Sequence, residues 1–167
     1  MGENKYADKA SLLKSAIKSE IDGFTFYDLL AREVNNSDAK RRLESLRDDE
    51  ARHRAGLIDL YRKHVGGELG ALPAEGVSPL EEAFVKGGLK KFKSEVEYIN
   101  LAIKAEIAAA KFYKEAAAST DETDFKDILE QLSDEENGHY EILMAEREAL
   151  AGNYHWFIAD SAGAMED

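Results

Sequence analysis

Two Glu-x-x-His triplets occur in the chain, Glu50 with His53 in DDEARH and Glu136 with His139 in DEENGH. On a helix, residues three apart share one face, so each pair can reach a common cation. Two more acids, Glu20 in AIKSEIDGFTFY and Glu106 in AIKAEIAAAKFY, sit on otherwise apolar helical stripes. An unpaired buried carboxylate costs several kcal/mol, and four that converge repel one another unless cations or protons neutralise them. Two divalent ions would balance the four glutamates charge for charge, with neutral His53 and His139 completing the coordination. Such oxygen and nitrogen ligands suit iron or manganese, with zinc as a further choice, whereas magnesium and calcium rarely recruit histidine. Cysteine is absent, which excludes disulfides, thiolate sites, iron-sulfur clusters and a cysteine nucleophile.

The elements that must position these groups come in two copies. AIKSEIDGFTFY from Ala16 pairs with AIKAEIAAAKFY from Ala102, and LESLRDDEARH from Leu43 pairs with LEQLSDEENGH from Leu129, both at an offset of 86 residues. Residues 16–57 match residues 102–143 at 17 of 42 positions without a gap, so each half repeats a helix, a short connection and a second helix. Apolar periodicity predicts helices over about Ala7 to Val34, Asp38 to His64, Ser94 to Ser119 and Thr123 to Ala151. The turn at Asn35, Asn36 and Ser37 has the residues that bond nearby backbone amides, and Gly66, Gly67 and Gly152 serve as terminators.

Steps of three and four place Leu13, Ile17, Glu20, Phe24, Tyr27, Ala31 and Val34 on one stripe of the first helix, and Leu43, Leu46, Glu50, His53, Leu57 and Leu60 on one stripe of the second. Ile99, Ile103, Glu106, Ala110 and Tyr113 follow the same rule in the third, as do Leu129, Leu132, Glu136, His139 and Leu143 in the fourth. Helices joined by so few residues run antiparallel, giving hairpins about 40 Å long. The expected fold is all-α: an antiparallel four-helix bundle over residues 1–152, with hairpins at 7–64 and 94–151, a crossover at 65–93 and a tail at 153–167. The crossover holds both prolines, Pro73 and Pro79, with one short helix expected near Pro79 to Val85. Its lysines Lys86, Lys90, Lys91 and Lys93 read as a solvated face. Tyr154, Trp156 and Phe157 are expected to cap the bundle or pack on a partner subunit.

At 167 residues and 44% hydrophobic content the chain supports one domain with a real core. A net charge of -12 argues against nucleic acid as a partner. No apolar run approaches a membrane span of roughly 20 residues, and the charged start MGENKYADKASLLKS does not look like a signal, so a cytoplasmic location is expected.

On Glu20, Glu50, His53, Glu106, Glu136 and His139 in the segments quoted, the chain resembles the ferritin-like superfamily and, within it, the rubrerythrin-like group, over nearly its whole length. The resemblance implies two iron ions, with Glu50 and Glu136 bridging, Glu20 and Glu106 terminal, and one histidine on each ion. It also implies an oxidoreductase that reduces O2 or hydrogen peroxide, a homodimer, and a separate electron-donor protein. Two departures stand out. Rubrerythrins carry a further carboxylate three residues after the third-helix ligand, which takes part in a redox-linked ligand change, and that position is Ala109 here. They usually carry a cysteine-rich rubredoxin domain, and these residues contain no cysteine, so electrons must come from another protein or from the incoming iron.

Tyr27 and Tyr113 follow the terminal glutamates by seven residues on the same faces. They are candidates for a catalytic role through a hydrogen bond to a ligand carboxylate of the opposite half, although plain core packing accounts for them equally. Asp49 and Glu135 are placed to orient a histidine of the facing helix. His64 and His155 read as structural or solvated. Non-catalytic iron binding or storage is the alternative function.

Overall fold

The computed structural model describes residues 8–91 and 94–157. Four helices carry the structure: α1 (Lys9–Glu33), α2 (Ser37–His64), α3 (Glu95–Ala118) and α4 (Thr123–Ala149). Asp8 caps α1 by accepting from the Ala10 amide at 3.0 Å and the Ser11 hydroxyl at 2.8 Å. Asn36 caps α2, its side-chain oxygen accepting from the amides of Asp38 and Ala39 at 3.0 Å each, so the predicted turn begins the second helix as its chemistry requires. Beyond His64 the chain leaves the helix through Gly66 and Gly67 with φ of 83° and 72°, a region that glycine enters without strain.

Helix α1 packs on α2 and α3 on α4, giving two hairpins that bury their stripes against each other in an all-α four-helix bundle. The interior is split in two. One apolar cluster joins Tyr27 and Leu30 of α1 to Leu43 and Leu46 of α2, Ile99 and Ile103 of α3, and Leu143 of α4. The other joins Leu13 and Ile17 to Leu57 and Leu60, Phe112 and Tyr113, and Leu129 and Leu132. Glu20, Glu50, His53, Glu106, Glu136 and His139 lie between these clusters along all four helices, so a polar belt is sealed at both ends by packed hydrocarbon.

One stripe residue departs from expectation. Phe24 is only half-buried, under the Arg54 guanidinium at 5.7 Å, and the inward place beside it belongs to buried Gly23. A residue one position along a helix turns about 100°, and simple steps of three and four do not distinguish the two.

The crossover is a strap over α1 and α3. Val77 donates its amide to Ser19 Oγ at 2.5 Å, and a Cβ on Gly76 would meet that oxygen at 2.7 Å, so only glycine allows so close an approach. The short helix expected near Pro79 to Val85 is a 3-10 turn, Pro79–Ala83, which buries Leu80 and Ala83. After it comes a two-residue hairpin that periodicity did not reveal, β1 (Phe84–Val85) against β2 (Gly88–Leu89), turning at Gly87 with φ of 89°. Lys86, Lys90 and Lys91 are exposed, and Lys93 lies outside the described residues. No helix of the described residues is long and apolar enough to cross a membrane.

The tail returns to the bundle. Trp156 is 1% exposed within the first apolar cluster, and its carbonyl accepts the amides of Asn35 and Asn36 at 2.8 and 3.0 Å. Its ring N–H donates to Glu146 at 3.1 Å; Tyr154 donates to the same oxygen at 3.0 Å and Arg42 pairs with the carboxylate's other oxygen. Trp156→Ala removes both the buried ring and this latch, and is expected to cost about 3–5 kcal/mol of unfolding free energy, read from the urea midpoint.

Candidate metal centre

The six residues singled out by type and spacing all lie in one place. Glu20, Glu50, His53, Glu106, Glu136 and His139 are each at most 5% exposed. Their ligand atoms fall into two sets, Glu20, Glu50, His53 and Glu136 in one and Glu50, Glu106, Glu136 and His139 in the other, with all atoms of a set within 4.8 Å of one another. Glu50 and Glu136 belong to both. His53 Nδ1 lies 3.0 Å from Glu136, 3.4 Å from Glu20 and 4.0 Å from Glu50. His139 Nδ1 lies 3.3 Å from Glu50, 3.3 Å from Glu136 and 3.6 Å from Glu106. The two imidazoles stack with centroids 5.6 Å apart and planes 19° from parallel.

Whether these groups fit metal ions is settled by their unmet demands. Glu20 Oε2, Glu50 Oε1, both Glu136 carboxylate oxygens, and Nδ1 of both histidines are buried without a hydrogen-bond partner. Buried polar atoms are nearly always paired, and orphans concentrated at one point are what bound cations would satisfy. The donor set of four carboxylates and two imidazoles fits a pair of such ions.

The remaining atoms of these residues are held from outside. Tyr27 donates to Glu106 Oε1 at 2.5 Å and Tyr113 donates to Glu20 Oε1, each tyrosine serving the glutamate of the opposite half. Burial first, and then the neighbouring glutamates, raise both phenols well above their ordinary value, so they stay protonated donors. Glu135 Oε2 lies 2.5 Å from His53 Nε2, and Asp49 Oδ2 lies 3.1 Å from His139 Nε2, again across the hairpins. An imidazole that gives its Nε2 proton to a carboxylate keeps the Nδ1 lone pair for a metal.

Without metal, protons must supply the positive charge. Burial, then repulsion by the other glutamates, raises Glu50 and Glu136 well above the usual carboxylate range. For Glu106 burial acts upward, but contacts with Glu136, His139 and the Tyr27 hydroxyl outweigh it and hold it below. Burial alone would lower His53, yet the carboxylates of Glu136 and Glu20 raise it to about 10, and His139 rises likewise beside Glu106, Glu136 and Glu50.

Residues that spacing did not single out complete the centre. A Cβ on Gly23 would lie 2.2 Å from Glu50 Oε2, so this glycine makes room for the carboxylate; its repeat counterpart is Ala109. The sequence signal was a glycine inside a helix with no turn to explain it. Arg52 bonds Glu135 and Asp49 on the outer side. His64 stands apart at the end of α2, 3.0 Å from Glu122 and 3.3 Å from Asp124, carboxylates that also pair with Lys9 and Lys63. His155 is 55% exposed and 3.8 Å from Glu95.

Gly56 is also a helix-interior glycine, but a Cβ there meets nothing within 4 Å. Gly56→Ala is therefore expected to raise metal-free stability by about 0.4–1 kcal/mol, while Gly23→Ala displaces Glu50 and lowers divalent-metal affinity, as chelator competition would show. Because His53 holds its proton up to a pH of about 10 when metal-free, a metal must expel that proton to bind. Apparent affinity then rises as pH is raised from neutrality towards about 10, measured by the same competition.

Comparison with known proteins agrees with this geometry. The family model described as Rubrerythrin matches residues 11–147. Among solved structures, a hypothetical protein of Pyrococcus furiosus is 29% identical, with a TM-score of 0.75 over 94% of this chain and 97% of that one. The bacterioferritin-related protein of Bacteroides fragilis, described as a dodecameric thioferritin, is 22% identical with a TM-score of 0.65 over 85% of each chain. A conserved hypothetical protein of Mycobacterium tuberculosis shares the fold at 12% identity and a TM-score of 0.62, over 90% of this chain and 96% of that one. A search of curated proteins gave no match. With the family model spanning both hairpins and all six clustered residues, the chain belongs to the rubrerythrin family of ferritin-like proteins.

Proposed function

We propose that this protein is a di-iron carboxylate oxidoreductase that reduces O2 or hydrogen peroxide. The observation that supports it is the division of six buried groups into two overlapping sets that share Glu50 and Glu136. In this reading Glu20 and His53 hold one ion, Glu106 and His139 hold the other, and Glu50 and Glu136 serve both. Iron, when bound, supplies the two electrons for the oxidant and the Lewis acidity that polarises it.

The chain's own residues do the remaining work. Tyr27 and Tyr113 fix one oxygen each of Glu106 and Glu20, leaving the other for the metal. The apolar clusters at either end keep bulk water away and strengthen every electrostatic contact between them. All four glutamates line a cavity of about 10 Å³ together with Ser78 and Leu80 of the crossover, which is room for about one water-sized molecule. Ala109 lines the same cavity at the place where rubrerythrins carry a carboxylate, so this chain works with a fixed set of four glutamates and two histidines. Electrons come from a separate donor protein or from the incoming iron.

Ferrous protein mixed rapidly with O2 or peroxide is expected to develop the absorption of oxidised iron, and Glu50→Ala or His139→Ala to abolish it. Unchanged absorption in either variant contradicts the assignment. Iron storage is the second reading, prompted by the dodecameric relative; light scattering separates them, since a dimer in solution is expected here and a closed shell of many subunits would favour storage.

A further inference from the structure

A single guanidinium ties together the outer edges of both histidines. Arg52 Nη2 donates to Glu135 Oε2 at 2.9 Å and to Asp49 Oδ1 at 3.1 Å, while Nη1 reaches Glu135 Oε1 at 3.5 Å. Glu135 faces His53 Nε2 and Asp49 faces His139 Nε2. A continuous chain of polar contacts therefore runs His53, Glu135, Arg52, Asp49, His139, crossing between α2 and α4. The internal repeat does not provide a second such arginine: at the offset of 86 residues, Arg52 corresponds to Gly138. One cation on one side serves acceptors on both.

An acceptor beyond a metal-bound imidazole sets the ring's tautomer and direction, but only as firmly as that acceptor is itself held. Glu135 and Asp49 are partly exposed, at 26% and 37% of their side-chain surface, so neither is fixed by packing alone. The planar fork of arginine can hold two carboxylates in a set relation, which a compact ammonium cannot. Arg52 itself is 57% exposed, and an ion pair so open to water adds little to folding stability. Its contact pattern serves direction instead.

We propose that Arg52 is a positioning residue for both metal positions at once: by gripping Glu135 and Asp49 together it fixes the acceptors of both Nε2 protons, and so the aim of both Nδ1 atoms into the cluster. This rests on the metal-binding reading above. The wiring has a signature. Glu135→Gln disturbs the ion on the His53 side, Asp49→Asn the ion on the His139 side, and Arg52→Ala disturbs both although it touches neither histidine.

The test is titration of the full chain with Co(II), following visible absorption and competing with a chelator. Wild type is expected to take up two ions; uptake of none would overturn the metal-binding reading itself, separately from Arg52. Arg52→Ala is expected to weaken both ions by about tenfold, the low end of the effect of outer partners, and to shift the cobalt bands of both. Arg52→Lys should recover part of the loss, and the metal-free urea midpoint of Arg52→Ala should stay at the wild-type value. With two ions bound by wild type, the inference is overturned if Arg52→Ala leaves affinities and bands unchanged, weakens one ion alone, or loses affinity only in step with metal-free stability.

Discussion

Four carboxylates confined to a dry interior cannot all carry charge without positive charge among them. In this bundle that constraint reaches nearly every feature of the structure. Glu20, Glu50, Glu106 and Glu136 are each almost fully buried, one per helix, and among the described residues the groups near them that can carry positive charge are two imidazoles, His53 beside Glu20, Glu50 and Glu136, and His139 beside Glu50, Glu106 and Glu136. Replacing the six by packed aliphatic residues would remove the electrostatic cost. Retention of the set, with six orphaned atoms pointing at one another, makes sense for a protein that accepts cations there.

The bundle meets this demand by duplication. Each hairpin contributes one lone glutamate and one Glu-x-x-His pair, and antiparallel packing brings the copies face to face. Support then passes across the two halves: Tyr27 serves Glu106, Tyr113 serves Glu20, Glu135 serves His53 and Asp49 serves His139. Neither hairpin holds its own ligands in place, so the centre exists only in the assembled bundle. Two of the differences between the halves fall beside the cluster. Gly23 yields space to Glu50 where Ala109 stands in the other half, and Arg52 has Gly138 as its counterpart.

Much of this was legible in the residues alone, because helical period and duplication are local properties. The four helices, the capping Asn36, and the inward set of glutamates and histidines all follow from spacing and side-chain chemistry. Gly23 was harder: a stripe drawn through Phe24 satisfies the same periodicity, and only the approach of α2 shows that the glycine faces inward. The crossover's two-residue hairpin has too few side chains to leave an alternating pattern. Arg52 lay within the quoted DDEARH segment, yet its reach to Glu135 depends on how α2 meets α4, which no single helix records. Trp156 shows the same limit, since an aromatic in a tail reads as a cap or a partner contact until the bundle shows the slot it fills.

The most direct test of the central claim is a crystal structure of iron-loaded protein, with anomalous scattering measured across the iron edge. The account predicts two peaks per chain inside the bundle, one bonded to Glu20 and His53, the other to Glu106 and His139, with Glu50 and Glu136 reaching both. No peak among these six residues in a fully loaded crystal, or iron bound only at the surface near His64, would contradict it.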